Sequence, residues 1–194
     1  AVNKLNEVLK YYNQQLPLSL KKLAKHGWYL SIESGIPDGI VLARELDKGN
    51  SKKVDDFMID FYQKNLTAVV KRLGKNYPER RAILDEALNA HNKQMFYSSV
   101  ILFLAQADGL CSGFLYKSKG GKKEHLKRNV IGNSRRYSEE LLTAIIDINT
   151  IDIPYSKNRS LSNALNRHSV IHGFDTNYGT KVNSLKSLSL LTFV

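Results

Sequence analysis

The chain has 194 residues, a formal net charge of +11 and one cysteine. It is long enough to bury a core without metals or disulfides, and an intrachain disulfide is excluded. The most apolar stretch, Val100 to Ala105, is broken by Gln106 and Asp108 well short of the ~20 residues that a membrane-spanning helix requires. Cys111 lies in the same apolar run and is expected to be a buried, quiet thiol, which suits a reducing, cytoplasmic setting. The positive field favours polyanionic partners, nucleic acid first among them.

Along the chain, Val2, Leu5, Val8, Leu9 and Tyr12 recur at helical spacing and predict an amphipathic helix over 2–15 that ends before Pro17. Leu18 to Ala24 begins a second. The stretch GWYLSIESGIPDG, from Gly27 to Gly39, suits an ordered loop or a short strand pair. From Val54, the stripe Phe57, Met58, Phe61, Tyr62, Leu66, Val69, Val70 and Leu73 predicts one long helix closed near Gly74. Pro78 suits the first turn of a helix running to about Asn92, and an apolar helix over 96–116 follows.

Asn133 or Ser134 is the expected cap of a helix whose Leu141, Leu142, Ile145 and Ile146 face the core, with Pro154 in the loop beyond it. A helix over 160–172 is stopped by Gly173, and Thr180 caps a last one carrying Leu185, Leu188, Leu190 and Leu191. No fixed-period repeat or sustained alternation occurs. The expected fold is therefore all-α, an irregular helical bundle. Its N-terminal helical region, 1–75, is expected to pack on a helical domain over 76–194 as one compact unit.

Between the helices, Lys117, Lys119, Lys122, Lys123, Lys127, Arg128, Arg135 and Arg136 cluster around Gly120, Gly121 and Gly132. Such a loop adds sequence-independent, salt-sensitive affinity for RNA phosphates; a solvated linker is the plainer reading of the same charges.

In ALNRHSVIHGF, Arg167 precedes His168 and stands five positions before His172. This R-x4-H arrangement, with a polar residue directly after the arginine, resembles the motif of the HEPN superfamily, the higher eukaryotes and prokaryotes nucleotide-binding proteins. The resemblance covers mainly the last third of the chain. It implies a HEPN-like helical homodimer in which the motif helices of two subunits meet. Together they would form a composite, metal-independent RNA-cleaving site that needs no cofactor. Certain HEPN toxins carry a tyrosine two residues after the histidine, which a partner nucleotidyltransferase modifies; here Phe174 stands there, which speaks against that control.

Cleavage through a neighbouring 2′-hydroxyl needs a group that moves protons near neutrality and a cation to stabilise the crowded phosphorane. His172 and Arg167 fill those roles, His168 is expected to assist, and Asn166 to contact RNA nearby. On a regular helix Arg167 and His172 would lie ~140° apart, so a symmetric neighbour is expected to complete the site. Two other readings stand beside this one. Arg167 pairs with a carboxylate while His172 satisfies a helix end, or His168 and His172 form an H-x3-H metal pair lacking an evident third ligand. Asp108, within the most apolar helix, is expected to be paired, with Arg167 or a lysine.

The sequence thus points to a cytoplasmic endoribonuclease acting as a toxin or anti-phage effector, or else to a non-catalytic helical module binding RNA or protein. The expected partners are RNA, a second copy of the chain, and an inhibitory or activating protein, with no membrane.

Overall fold

Apolar side chains repeating every three or four positions need a facing surface, and here helices supply it to one another. A computed structural model describes residues 2–31, 34–116, 143–146, 151, 153 and 165–194. Its helices are α1 (Val2–Lys25), α2 (Ile36–Asp47), α3 (Ser51–Asn76), α4 (Arg81–Asn92), α5 (Phe96–Leu110), α6 (Thr143–Ile146), α7 (Arg167–Ile171) and α8 (Lys181–Phe193). A 3-10 turn, Pro78–Arg80, leads into α4. Among the described residues no strand occurs, so the architecture is the all-α irregular bundle that the periodicity predicts.

Helix α8 packs against α5 and α3, α4 lies against both α3 and α5, and α1 packs on α2 and α6. Trp28, Met58, Tyr62, Phe103, Leu104, Leu185 and Leu188 are fully buried between them. One core cluster draws on the stretches 1–75 and 76–194 alike. α8 buries residues on nearly every side, including Ser184, Ser187 and Ser189. Those serines are tolerated because Ser187 Oγ donates to Ser184 O at 2.8 Å and Ser189 Oγ to Lys186 O at 2.7 Å, which leaves neither hydroxyl unsatisfied. Ser184 Oγ also meets His91 Nδ1 and Ser99 Oγ, each at 2.7 Å, a polar seam joining α4, α5 and α8.

Three expectations for residues 2–116 are not met. α1 runs unbroken through Pro17, although an interior proline costs a hydrogen bond and ~3 kcal/mol. The apolar face of Leu20, Leu23 and Ala24 stays buried beyond the proline, and packing on α2 outweighs the local penalty. The segment after α1 forms no strand pair. Instead Tyr62 Oη donates to Tyr29 O at 2.6 Å, and Tyr29 N donates to Ser189 Oγ at 3.3 Å. Side chains of α3 and α8 thus satisfy backbone groups that a neighbouring strand would otherwise pair.

α3 closes at Asn76, near Gly74 as expected. Gly74 is buried in the last turn, where an added Cβ would lie 3.3 Å from Arg81 Cγ, so it permits close packing of α4. α5 stops at Leu110, short of the expected 116, because Ser112 and Gly113 take φ values of 52° and 74°. That turn folds Tyr116 back onto α5, where its hydroxyl donates to Leu104 O at 3.1 Å. Cys111, at the same turn, is half-buried rather than buried. Ile145 is buried as expected; Asn133, Ser134, Leu141, Leu142 and Pro154 lie outside the described residues.

Candidate functional site

The motif sits on a helix defined at both ends. Asn166, extended at φ −126° and ψ 118°, caps α7 by accepting from Ser169 N at 2.9 Å. It also accepts from Ser169 Oγ at 3.2 Å and donates through Nδ2 to Ile153 O at 2.8 Å. At the other end Gly173 takes φ 72°, with Gly173 N donating to Val170 O at 3.2 Å and Phe174 N to Ser169 O at 2.8 Å. This is the Schellman arrangement, which uses a left-handed glycine to satisfy the last carbonyls. The expected stop at Gly173 therefore holds, but the helix begins at Arg167, not near 160.

That short frame decides where the charged groups go. Arg167 is the first helical residue and His172 the C-terminal cap, so the two are not carried on one long cylinder. The Arg167 guanidinium lies over the Tyr116 ring, with Cζ 4.2 Å from the centroid. Its Nη1 donates to His168 Nδ1 at 3.2 Å, which in this arrangement leaves the His168 ring proton on Nε2. The His168 and His172 rings stack, centroids 6.1 Å apart and planes 13° from parallel. Phe174 extends the row, 6.1 Å from His172 and tilted by 43°. Five side chains thus form a sequence of aromatic ring, guanidinium, two imidazoles and phenyl.

The row is open to solvent at its far end. His172 is exposed, and Phe174 is 57% exposed. At the near end Arg167 is half-buried, and its Nε is enclosed without a hydrogen-bond partner. Among the described residues no carboxylate pairs with Arg167; an aromatic face and an imidazole stand against its charge. The segment after the row is tied down by Tyr97, whose hydroxyl donates to Thr176 O at 3.0 Å and whose ring meets Tyr178 edge-on at 5.0 Å.

Of the residues singled out in sequence, Arg167, His168 and His172 are brought together. Asn166 is adjacent, but it is fully buried and its side chain is engaged as the cap. Lys117, Lys119, Lys122, Lys123, Lys127, Arg128, Arg135 and Arg136 lie outside the described residues. Asp108 forms no ion pair with Arg167 or a lysine among the described residues; its Oδ1 is buried without a hydrogen-bond partner. The guanidinium that reaches this end of α5 is that of Arg80, bonded to Gln106 Oε1 at 2.8 Å and Gly109 O at 3.1 Å. Tyr116 was missed in sequence because its place under Arg167 depends on the turn after α5, which has no periodic signal.

A second charge cluster joins the exit of α1 to α3 and α8. Trp28 Nε1 donates to Asp55 Oδ1 at 2.6 Å, and Lys186 Nζ lies 4.0 Å from the same oxygen and 5.3 Å from the Trp28 ring centroid. Burial pulls the Lys186 pKa below the ordinary lysine value, with Asp55 opposing. Burial, then the Lys186 charge, lowers His26. These groups hold three elements together.

Among the described residues no three or more His, Cys, Asp or Glu side chains assemble as a metal site, and no described helix is long and apolar enough to cross a membrane. No family model, no curated protein and no solved structure matches the chain.

Proposed function

We propose that the protein is a metal-independent endoribonuclease of the HEPN type, with Arg167 and His172 as its catalytic pair and His168 between them. The observation that carries this reading is the row itself, in which His168 accepts from Arg167 and stacks on His172. The ~140° separation expected on a regular helix is thereby bridged. RNA cleavage through the 2′-hydroxyl matches those groups: the 2′-oxygen attacks phosphorus, the P–O5′ bond breaks, and a 2′,3′-cyclic phosphate and a 5′-hydroxyl remain. His172 moves the proton, Arg167 stabilises the charge of the phosphorane, and His168 orients the phosphate.

A second copy of the chain supplies the opposite proton-transfer group in this reading, through a two-fold arrangement of the α7 row. The basic residues of 117–136 add backbone affinity. A toxin or anti-phage role, in the cytoplasm and under an inhibitory or activating protein, is the setting such an activity suits.

The decisive experiment incubates purified protein with RNA in EDTA and identifies the ends. Cyclic phosphate and 5′-hydroxyl termini are expected, with DNA left intact because it lacks the 2′-hydroxyl. His172→Ala and Arg167→Ala should each lose at least ~10²-fold in rate, and sedimentation should show a dimer. Parental cleavage by His172→Ala, or loss of cleavage on chelation, overturns the mechanism. The exposed Phe174 end of the row favours one other reading, a module that stacks bases without cutting; it takes over if RNA binds and no strand is broken.

A further inference from the structure

Helices α1 and α2 enclose a groove of about 250 Å³, and four cations line it against one carboxylate: Lys21, Lys22, Lys25 and Arg44 face Asp47. Lys22 is paired, with its Nζ 2.6 Å from both Asp47 oxygens. Arg44 donates to the neutral Tyr11 hydroxyl and so keeps its charge. Lys25 is exposed on the last turn of α1. Leu18, also in the lining, is 55% exposed.

On α3 and α4, three cations are compensated by carboxylates of their own helix. Lys52 meets Asp56 and Lys64 meets Asp60, each at 2.8 Å, and Arg81 lies 3.7 Å from Asp85. Such i,i+4 pairs are how a solvated face balances itself. α1 departs from that pattern, since Glu7 is its one acidic residue. No carboxylate stands three or four positions from Lys25, while Lys21 stands four before it as a like charge. The negative end of the helix favours a cation in its last turn without supplying a counter-charge. Nor does it account for a second helix turning Arg44 into the same groove.

We propose that the α1–α2 groove binds the phosphodiester backbone of RNA, with Lys25 and Arg44 contacting phosphates and Leu18 lying against the sugar or base. The groove matches that ligand because it combines Lys25 and Arg44, which meet no carboxylate among the described residues, with a concave shape and an apolar edge. Its binding function is separate from the cleavage assigned to α7.

The test is fluorescence anisotropy of a labelled oligouridine with the full chain carrying His172→Ala, which removes the proposed cleavage from the measurement. Lys25→Gln with Arg44→Gln is compared with a charge-matched control, Lys52→Gln with Lys64→Gln on α3, and circular dichroism verifies folding of both. The groove variant is expected to bind about fivefold to tenfold more weakly. Its log K against log salt should be shallower by about 1 to 2, as loss of two phosphate contacts on a single strand requires. The control should stay near the parent. Equal losses in the two variants overturn the proposal, since bulk charge would then explain both. Groove-dependent binding to phosphatidylserine vesicles without groove-dependent RNA binding overturns it in favour of a lipid surface. Groove-dependent binding by a protein that never cuts RNA keeps this proposal and removes the cleavage reading; cleavage with unchanged groove-variant affinity does the reverse.

Discussion

Tyr116 lies beneath Arg167, its ring centroid 4.2 Å from the guanidinium carbon, so the turn that ends α5 positions the arginine of the motif. A cation over an aromatic face is held by ~0.5–2 kcal/mol. Tyr116→Leu is therefore expected to lower kcat for the proposed RNA cleavage several-fold, with less effect on KM. Tyr116→Phe keeps the ring and loses the bond to Leu104 O, so it should retain most of the rate. A Leu variant as fast as the parent would leave Tyr116 a packing residue only.

Asn166 holds the start of α7 and Ile153 with one side chain. Replacing it by alanine should cost about 1–3 kcal/mol, through the lost cap and the carbonyl left unsatisfied. Asn166→Asp keeps the acceptor for Ser169 N but cannot donate to Ile153 O, and should fall between parent and alanine. Urea denaturation of the three proteins measures the order. A midpoint unchanged in Asn166→Ala would contradict the capping role.

Gly173 sits at φ 72° with open space where a Cβ would be. The cost of Gly173→Ala is therefore conformational, ~1–2 kcal/mol for a left-handed residue. Because this turn aims both His172 and Phe174, the variant should lose RNA cleavage out of proportion to its loss of stability. Thermal denaturation alongside initial rates separates the two. Full activity together with an unchanged melting temperature would mean the turn is not under this constraint.

His91 is buried against Ser184, and burial, followed by the Lys181 charge, lowers its pKa from the ordinary histidine value of 6.5. The unfolded chain therefore takes up a proton, as pH falls below about 6.5, that the folded chain resists. Stability should be level above that pH and decline below it towards the folded pKa. His26 is shifted the same way, so the comparison is with His91→Gln, which should flatten part of the decline. Denaturation midpoints between about pH 8 and 5 decide it, and identical pH dependence in the two proteins would remove His91 as a source.

Helical class, the course of α3, α4 and α8, the Thr180 cap and the Gly173 stop were legible from residue order, because each depends on spacing or on a residue's own backbone preference. Thr180 does accept from Asn183 N at 3.1 Å, and Gly173 does take the left-handed conformation. Arg167, His168 and His172 were legible too, as neighbours in one short motif. Residue order misjudged the elements where distant packing overrides a local preference. α1 passes through Pro17 because packing on α2 and the core outweighs the local penalty, and Trp28 to Ser31 needs no strand partner because Tyr62 and Ser189 satisfy Tyr29. The shape of the candidate site belongs to the same class. A tyrosine placed under Arg167 and a groove between α1 and α2 both join residues far apart in the chain. Periodicity records the face a side chain takes within its own helix, whereas the neighbour it meets across a turn or between helices is decided only by tertiary packing.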